Sequence, residues 1–285
     1  MKHRTLSLLP VWAGILAFVS CGQGRTSQTV ETIDSLELAD SLESDSAFLF
    51  EEEDEALALE HQKTEAFGDF IFAFTHNNRF QAERVRFPLP STEIDGTEST
   101  IRSGKQFRNA FQLPGNDYYT MLIGDMSQMD VFQNDSTLTE IDLQCLSLPN
   151  LMMVSYDFHR TDGRWFLHSR THTHVNADMV DFLHFYERFV TDSIFQQESL
   201  TRELSIAMED PNGEMGGIEG IIEADQWPMF RPEMPAGKFV HIYFGQTFPN
   251  PDRIYLLQCG ISNGMLDIFT FRRKDGHWKL TAYEN

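Results

Sequence analysis

The stretch FHRTDGRWFLH (residues 158–168) returns near the end of the chain as FRRKDGHWKLT (residues 271–281), and this echo restricts the fold more than any other feature. Asp162-Gly163-Arg164-Trp165 recurs as Asp275-Gly276-His277-Trp278, 113 residues later. Upstream, Leu143-Gln144-Cys145 is matched by Leu257-Gln258-Cys259 at a separation of 114. Further upstream, Phe67, Phe70, Phe74, Phe80 and Gln81 are matched by Phe182, Phe185, Phe189, Phe195 and Gln196 at 115. Three segments in one order at a nearly constant offset indicate an internal duplication. A period of about 115 residues is too long for a solenoid and suits a small complete domain. The expected units are 61–174 and 175–285.

Each unit can be read with two witnesses. It opens with a helix, because its phenylalanines fall at i, i+3 and i+7 on one face. Asn176 or Asp178 is the expected cap of the second helix. It closes with a hairpin. Tyr156 and Phe158, then Trp165 and Leu167, alternate with polar neighbours across Asp162-Gly163, a pair suited to a type I′ turn. Phe269, Phe271, Trp278 and Leu280 repeat the pattern across Asp275-Gly276. Shorter strands are expected near 119–123 and 239–244, with a turn at Pro211-Asn212-Gly213. The fold class is therefore α+β, with helices on one face of a curved antiparallel sheet.

A Phe-rich opening helix and a closing Asp-Gly-x-Trp-x-Leu strand resemble the nuclear transport factor 2-like fold. That resemblance implies two tandem cone-shaped domains, each curling a sheet around a pocket roofed by helices. The tandem order is similar to domain-of-unknown-function family 4348, envelope lipoproteins of Bacteroides-type bacteria. The family brings no activity to carry over.

The N-terminus reads as an address. Lys2, His3 and Arg4 precede an apolar run from Leu6 to Val19, a signal-peptide pattern shorter than a membrane-spanning helix. Phe18-Val19-Ser20-Cys21 resembles the lipobox of bacterial lipoproteins, which implies removal of 1–20 and lipidation of Cys21. Two or more acyl chains anchor a protein stably. Residues 21–60 form an acidic tether; from 22 onward they hold twelve carboxylates and one cation, Arg25. The expected location is the bacterial envelope, at the outer membrane facing the periplasm.

The net charge of −21 excludes nucleic acid as a partner, since phosphate binding needs clustered Lys and Arg. Three cysteines make no disulfide framework, and Cys145 and Cys259 read as core residues. His168, His172 and His174 share strand parity and could hold zinc, but read better as a solvated junction. No cofactor or metal is expected, and no catalytic residue is assigned. Trp227, Tyr243 and Tyr255 are candidate pocket aromatics. Arg160 and Arg273 occupy matching places and could take a carboxylate. The longer loop of the first unit, from Gly124 to Leu143 and including the polar stretch 125–137, is a candidate partner contact.

The expected function is a non-catalytic envelope lipoprotein that binds a small ligand or an envelope protein. One alternative is an isomerase- or hydrolase-like enzyme in one cone, favoured by a pocket Asp or His of perturbed pKa. The other is a structural spacer, which a pocket of a few hundred cubic ångströms would count against.

Overall fold

Aromatic stripes place the first helix of each half against a sheet. The computed structural model describes residues 64–111, 113–115, 117–133, 138–209 and 217–285; the expectations for 1–60 and the 211–213 turn lie outside them. Helix α1 (Phe67–His76) buries Phe67, Phe70, Ile71 and Phe74. Its counterpart α5 (Ala177–Thr191) buries Phe182, Leu183, Tyr186 and Phe189. A short helix follows each: α2 (Asn78–Glu83) and α6 (Ser193–Glu198). The Asn77 side-chain oxygen Oδ1 accepts from the backbone amides of Arg79 and Phe80, and the Asp192 carboxylate does the same for Ile194 and Phe195. The Gln81 side chain donates to the Phe74 carbonyl at 3.2 Å, and Gln196 to that of Phe189 at 2.9 Å. The repeated Phe-Gln pair thus fastens a short helix to the end of a long one.

The first half continues with β1 (Leu89–Thr92), β2 (Glu98–Ile101), α3 (Gly104–Ala110), β3 (Tyr118–Ile123) and α4 (Ser127–Gln133). It ends with β4 (Glu140–Ser147), a 3-10 turn (Leu148–Asn150), β5 (Met152–Thr161) and β6 (Arg164–His174). The second half repeats the order with β7 (Leu200–Met208), β8 (Ile218–Glu223), α7 (Trp227–Phe230), β9 (Lys238–Tyr243), β10 (Arg253–Gly260), β11 (Leu266–Lys274) and β12 (His277–Glu284). Asp162, Gly163, Asp275 and Gly276 all adopt positive φ, as type I′ turns require.

The halves do not form two sheets. All twelve strands join in the order β2-β1-β6-β5-β4-β9-β3-β10-β11-β12-β7-β8. This order is a palindrome in the repeat, with the third strand of each half exchanged. Strand β3 pairs antiparallel with β10 of the second half, and β9 pairs antiparallel with β4 of the first. The exchanged strands meet each other in parallel at Thr120 and His241.

Register corrects the cysteine match. Leu143 faces Tyr156 across β4–β5, and Leu256 faces Phe269 across β10–β11. The offset is therefore 113, as in the hairpins. Cys145 corresponds to Gln258, and Cys259 to Leu146. A one-residue slip reverses the face of every side chain, so the two cysteines are not equivalent. Both are free thiols.

Alternation along the four central strands divides the core. Met121 and Ile123 of β3 pack with α1, whereas Leu122 between them packs with α5. Each half's long helix thus lies on its own face of the sheet, and both cores share β4, β9, β3 and β10. Phe158 stands among Phe67, Phe70 and Phe74 with ring centroids 5.2–5.8 Å away. Phe271 stands likewise among Phe182, Phe185 and Phe189.

Candidate functional site

The two faces of the central strands differ where the repeat should make them alike. On the α5 face, Gln144, His241, Thr120 and Gln258 form a row across β4, β9, β3 and β10. All four are buried. Their counterparts on the α1 face follow from register, in which Leu122 faces Leu256 and Ile242 faces Leu143. They are Leu257, Met121, Val240 and Cys145, an apolar row. At this level the α1-side core is apolar, and a second cavity of about 550 Å³ there is lined by Leu143, Val240 and Ile242; the α5-side core carries polar groups.

Those groups stand at a cavity of about 760 Å³ between α5 and the sheet. Gln144, His241, Asp142 and Tyr243 line its sheet side; Asp178, Asp181 and Phe182 line its helix side. Apolar surface comes from Leu122, Leu146, Met153, Ile254 and Trp278, and Thr247 and Phe248 come from the loop after β9. Helix α5 is held in place by Asp181, which accepts from the Trp278 indole at 3.0 Å and from the Arg273 guanidinium. The first half holds Trp165 differently, through the Glu65 carbonyl at 3.0 Å.

Hydrogen bonding fixes the state of His241. Its Nδ1 lies 3.0 Å from the Thr120 hydroxyl, which donates its single proton to the Val240 carbonyl at 3.1 Å. The hydroxyl can therefore only accept from His241, so Nδ1 carries the hydrogen. Burial drives the His241 pKa down to about 4, only partly offset by hydrogen bonding to the Thr120 backbone. The ring is neutral at pH 7, and Nε2 offers a lone pair.

Asp142 moves in the opposite direction. Burial raises its pKa to about 6, and the neighbouring Asp157 carboxylate adds to the rise; the Ser155 hydroxyl and His159 oppose it. Beyond Asp142 the polar surface continues over the sheet. His159 pairs with Asp157 at 3.0 Å and stacks on His168 with centroids 4.4 Å apart.

A family model described as Domain of unknown function (DUF4348) matches residues 49–285. The chain belongs to this family. The crystal structure of an NTF2-like protein from Bacteroides fragilis NCTC 9343 is 31% identical, with a TM-score of 0.67. The alignment covers 77% of this chain and 95% of that one. No match is found among curated proteins. The NTF2-like fold expected from the hairpins and Phe-rich helices is thus shown for this DUF4348 chain.

Of the residues singled out in the sequence, Tyr243 and Arg273 line the cavity. The Arg273 charge is engaged by Asp181, and its guanidinium lies 4.7 Å from the Trp278 ring, so it is not poised for a carboxylate ligand. Arg160 repeats this stacking on Trp165 at 4.3 Å and donates to the Glu65 carbonyl. Trp227 is buried against Tyr283, and Tyr255 points to the opposite face beside Arg253. Neither lines the cavity. His168 stacks on His159 while His172 lies 3.6 Å from Glu93, because a register shift after Asp157 breaks the parity of the three histidines. Asn176 begins α5, but neither it nor another side chain caps the helix. Residues 127–133 of the longer loop form α4, whose Gln128 bonds twice to the Thr247 backbone, at 2.9 Å each.

Sequence reasoning missed Asp142, Gln144 and His241. Each is a polar residue interrupting an apolar run, as in Phe-Val-His-Ile-Tyr (239–243), and that was the available signal.

Proposed function

We propose that this protein is a non-catalytic, lipid-anchored envelope protein that binds a small ligand between α5 and the central strands. The observation that carries this reading is the polar row at a sizeable cavity on one face, opposed by an apolar row on the other. Burying polar groups is costly unless they are partnered, and the apolar row of the α1 face indicates that the duplicated fold does not need them. A cavity of about 760 Å³ lies within the range of small-molecule sites and weighs against a purely structural spacer. The Cys21 lipobox and the acidic tether support the anchoring, with two tandem repeats as the soluble body at the outer membrane. The mass of the N-terminal peptide from the native host tests the anchor: an unmodified Cys21 or a retained leader overturns it.

Cavity binding is tested with benzyl alcohol, a small neutral probe, and methyl NMR. Resonances of Leu122, Leu146 and Met153 should shift, and that of Met121 on the α1 face should not. Equal shifts on both faces would overturn the assignment.

A second reading is favoured by one observation, the raised pKa of Asp142 beside a neutral His241. A carboxyl group titrating near neutrality at a cavity wall suits proton transfer. Wild-type protein would then exchange an acidic C–H of a bound carbonyl compound for deuterium, and Asp142→Asn would not.

A further inference from the structure

The polar atoms at this cavity are mismatched in a way that names a ligand class. His241 has spent its only N–H on Thr120, so Nε2 is an acceptor and has no partner among the described residues. Gln144, only 7% exposed, lines the cavity with no side-chain hydrogen bond to another described residue. Asp142 and Asp178 add carboxylates, and Arg273, the one Arg or Lys among the described residues that line the cavity, is already held by Asp181. The wall thus presents acceptors and negative charge beside neutral donors, the Gln144 and Asn176 amides and the Tyr243 and Thr247 hydroxyls. Its apolar part includes Phe182, Phe248 and Trp278.

We infer that the ligand is an organic ammonium ion with a compact apolar or aromatic body, its N–H groups directed at Asp142, Gln144 and His241. The inference rests on the cavity being the binding site, and it goes further by fixing charge and donor pattern. An anionic ligand would meet Asp142 and Asp178 with no free lining cation among the described residues to offset them. A neutral apolar ligand would leave His241 Nε2 and the Gln144 amide dry and unpaired, which is costly. An ammonium ion satisfies both acceptors and the charge.

Proton linkage follows. Asp142 is faced by Asp157 and His159 from β5 and by Tyr243 from β9, with Glu140 on its own strand. A bound cation favours the ionised form, so binding should release a proton when the pH is near or below the pKa of Asp142. Affinity should fall as pH drops through about 6.

The experiment titrates the mature chain with benzylammonium, benzyl alcohol and benzoate, followed by calorimetry and Trp fluorescence. Benzylammonium should bind at least about tenfold more tightly than either other probe at about pH 7.5, and should lose that advantage near pH 5. Asp142→Asn should abolish the preference, weakening benzylammonium far more than benzyl alcohol. Gln144→Leu serves as a second variant should Asp142→Asn fail to fold, and should weaken benzylammonium more than benzyl alcohol. Equal affinity for ammonium and alcohol, or tighter benzoate, overturns the inference while the cavity stands as a site. Failure of all three probes at millimolar concentration overturns the cavity reading together with it.

Discussion

Thr120 and His241 meet at the centre of the sheet, hydroxyl to Nδ1 at 3.0 Å, although 121 residues separate them. Each stands on the strand its own half has lent to the other. The contact joins the two repeats and also sets the tautomer that faces the cavity. Thr120→Val keeps the shape but removes the acceptor, leaving a buried imidazole N–H unpaired. The expected cost is about 1–3 kcal/mol in urea denaturation, with Thr120→Ser close to wild type. Nitrogen-15 NMR of His241 should show the hydrogen on Nδ1 in wild type; a hydrogen on Nε2 would contradict the assignment.

The exchange of β3 and β9 makes each half dependent on the other. A fragment of residues 61–174 lacks the strand that covers β4, and 175–285 lacks the one that covers β10. Unpaired central strands invite association. Expressed alone, each fragment should be aggregated or dimeric by light scattering, and mixing the two during refolding should restore one soluble heterodimer. A well-folded monomeric fragment would show that its own third strand can close back onto its own sheet.

Local physics made much of this legible. The Asp-Gly turns, the i, i+3, i+7 phenylalanines and the Phe-Gln pair each act within a few residues, so their signals lie in short stretches. The strand exchange does not. Leu122 and Ile242 are both aliphatic at equivalent places, so either strand suits either sheet, and no sequence pattern distinguishes the two pairings. The Leu256-Leu257 doublet offered two alignments one residue apart, and the Gln-Cys match selected the one that reverses the face. The polar row was hidden for a related reason: its four members come from four strands of both halves, and only register brings them together.

Two buried groups should pull the pH dependence of stability in opposite directions. His241 is depressed to about 4, so its contribution is present above the ordinary histidine pKa and is lost as pH falls towards 4. Asp142 is raised to about 6, so its contribution is present below the ordinary carboxylate range and is lost as pH rises through 6. Each is on the order of 3 kcal/mol at full extent, and they nearly cancel in the wild type. His241→Met copies the residue at the equivalent place on the α1 face and should be tolerated within about 1.5 kcal/mol at pH 7. Relative to wild type, its stability should fall as pH rises from about 4 to 6, and that of Asp142→Asn should rise over the same interval. Denaturation midpoints across this range measure both slopes. Parallel slopes in the two variants would show that the two groups do not oppose each other.

Gly124, just after β3, supports the loop that closes one side of the cavity. A Cβ there would lie 2.5 Å from the Thr247 carbonyl oxygen and 2.6 Å from the Phe248 Cα. These are backbone atoms, and its φ is not positive, so the objection to a side chain is contact rather than conformation. Thr247 and Phe248 both line the cavity. Gly124→Ala must push the loop outward, at about 1–3 kcal/mol for overpacking. Because Gln128 of α4 holds Thr247 through two hydrogen bonds, the shift should carry α4 with it. Amide exchange should therefore quicken at Thr247 and through α4, and benzyl alcohol should bind more weakly. The Phe158 and Trp165 surroundings on the α1 face should keep their protection. A Gly124→Ala variant with unchanged exchange at Thr247 would mean that the loop yields without leaving the cavity, and that its contact with β3 does not shape the site.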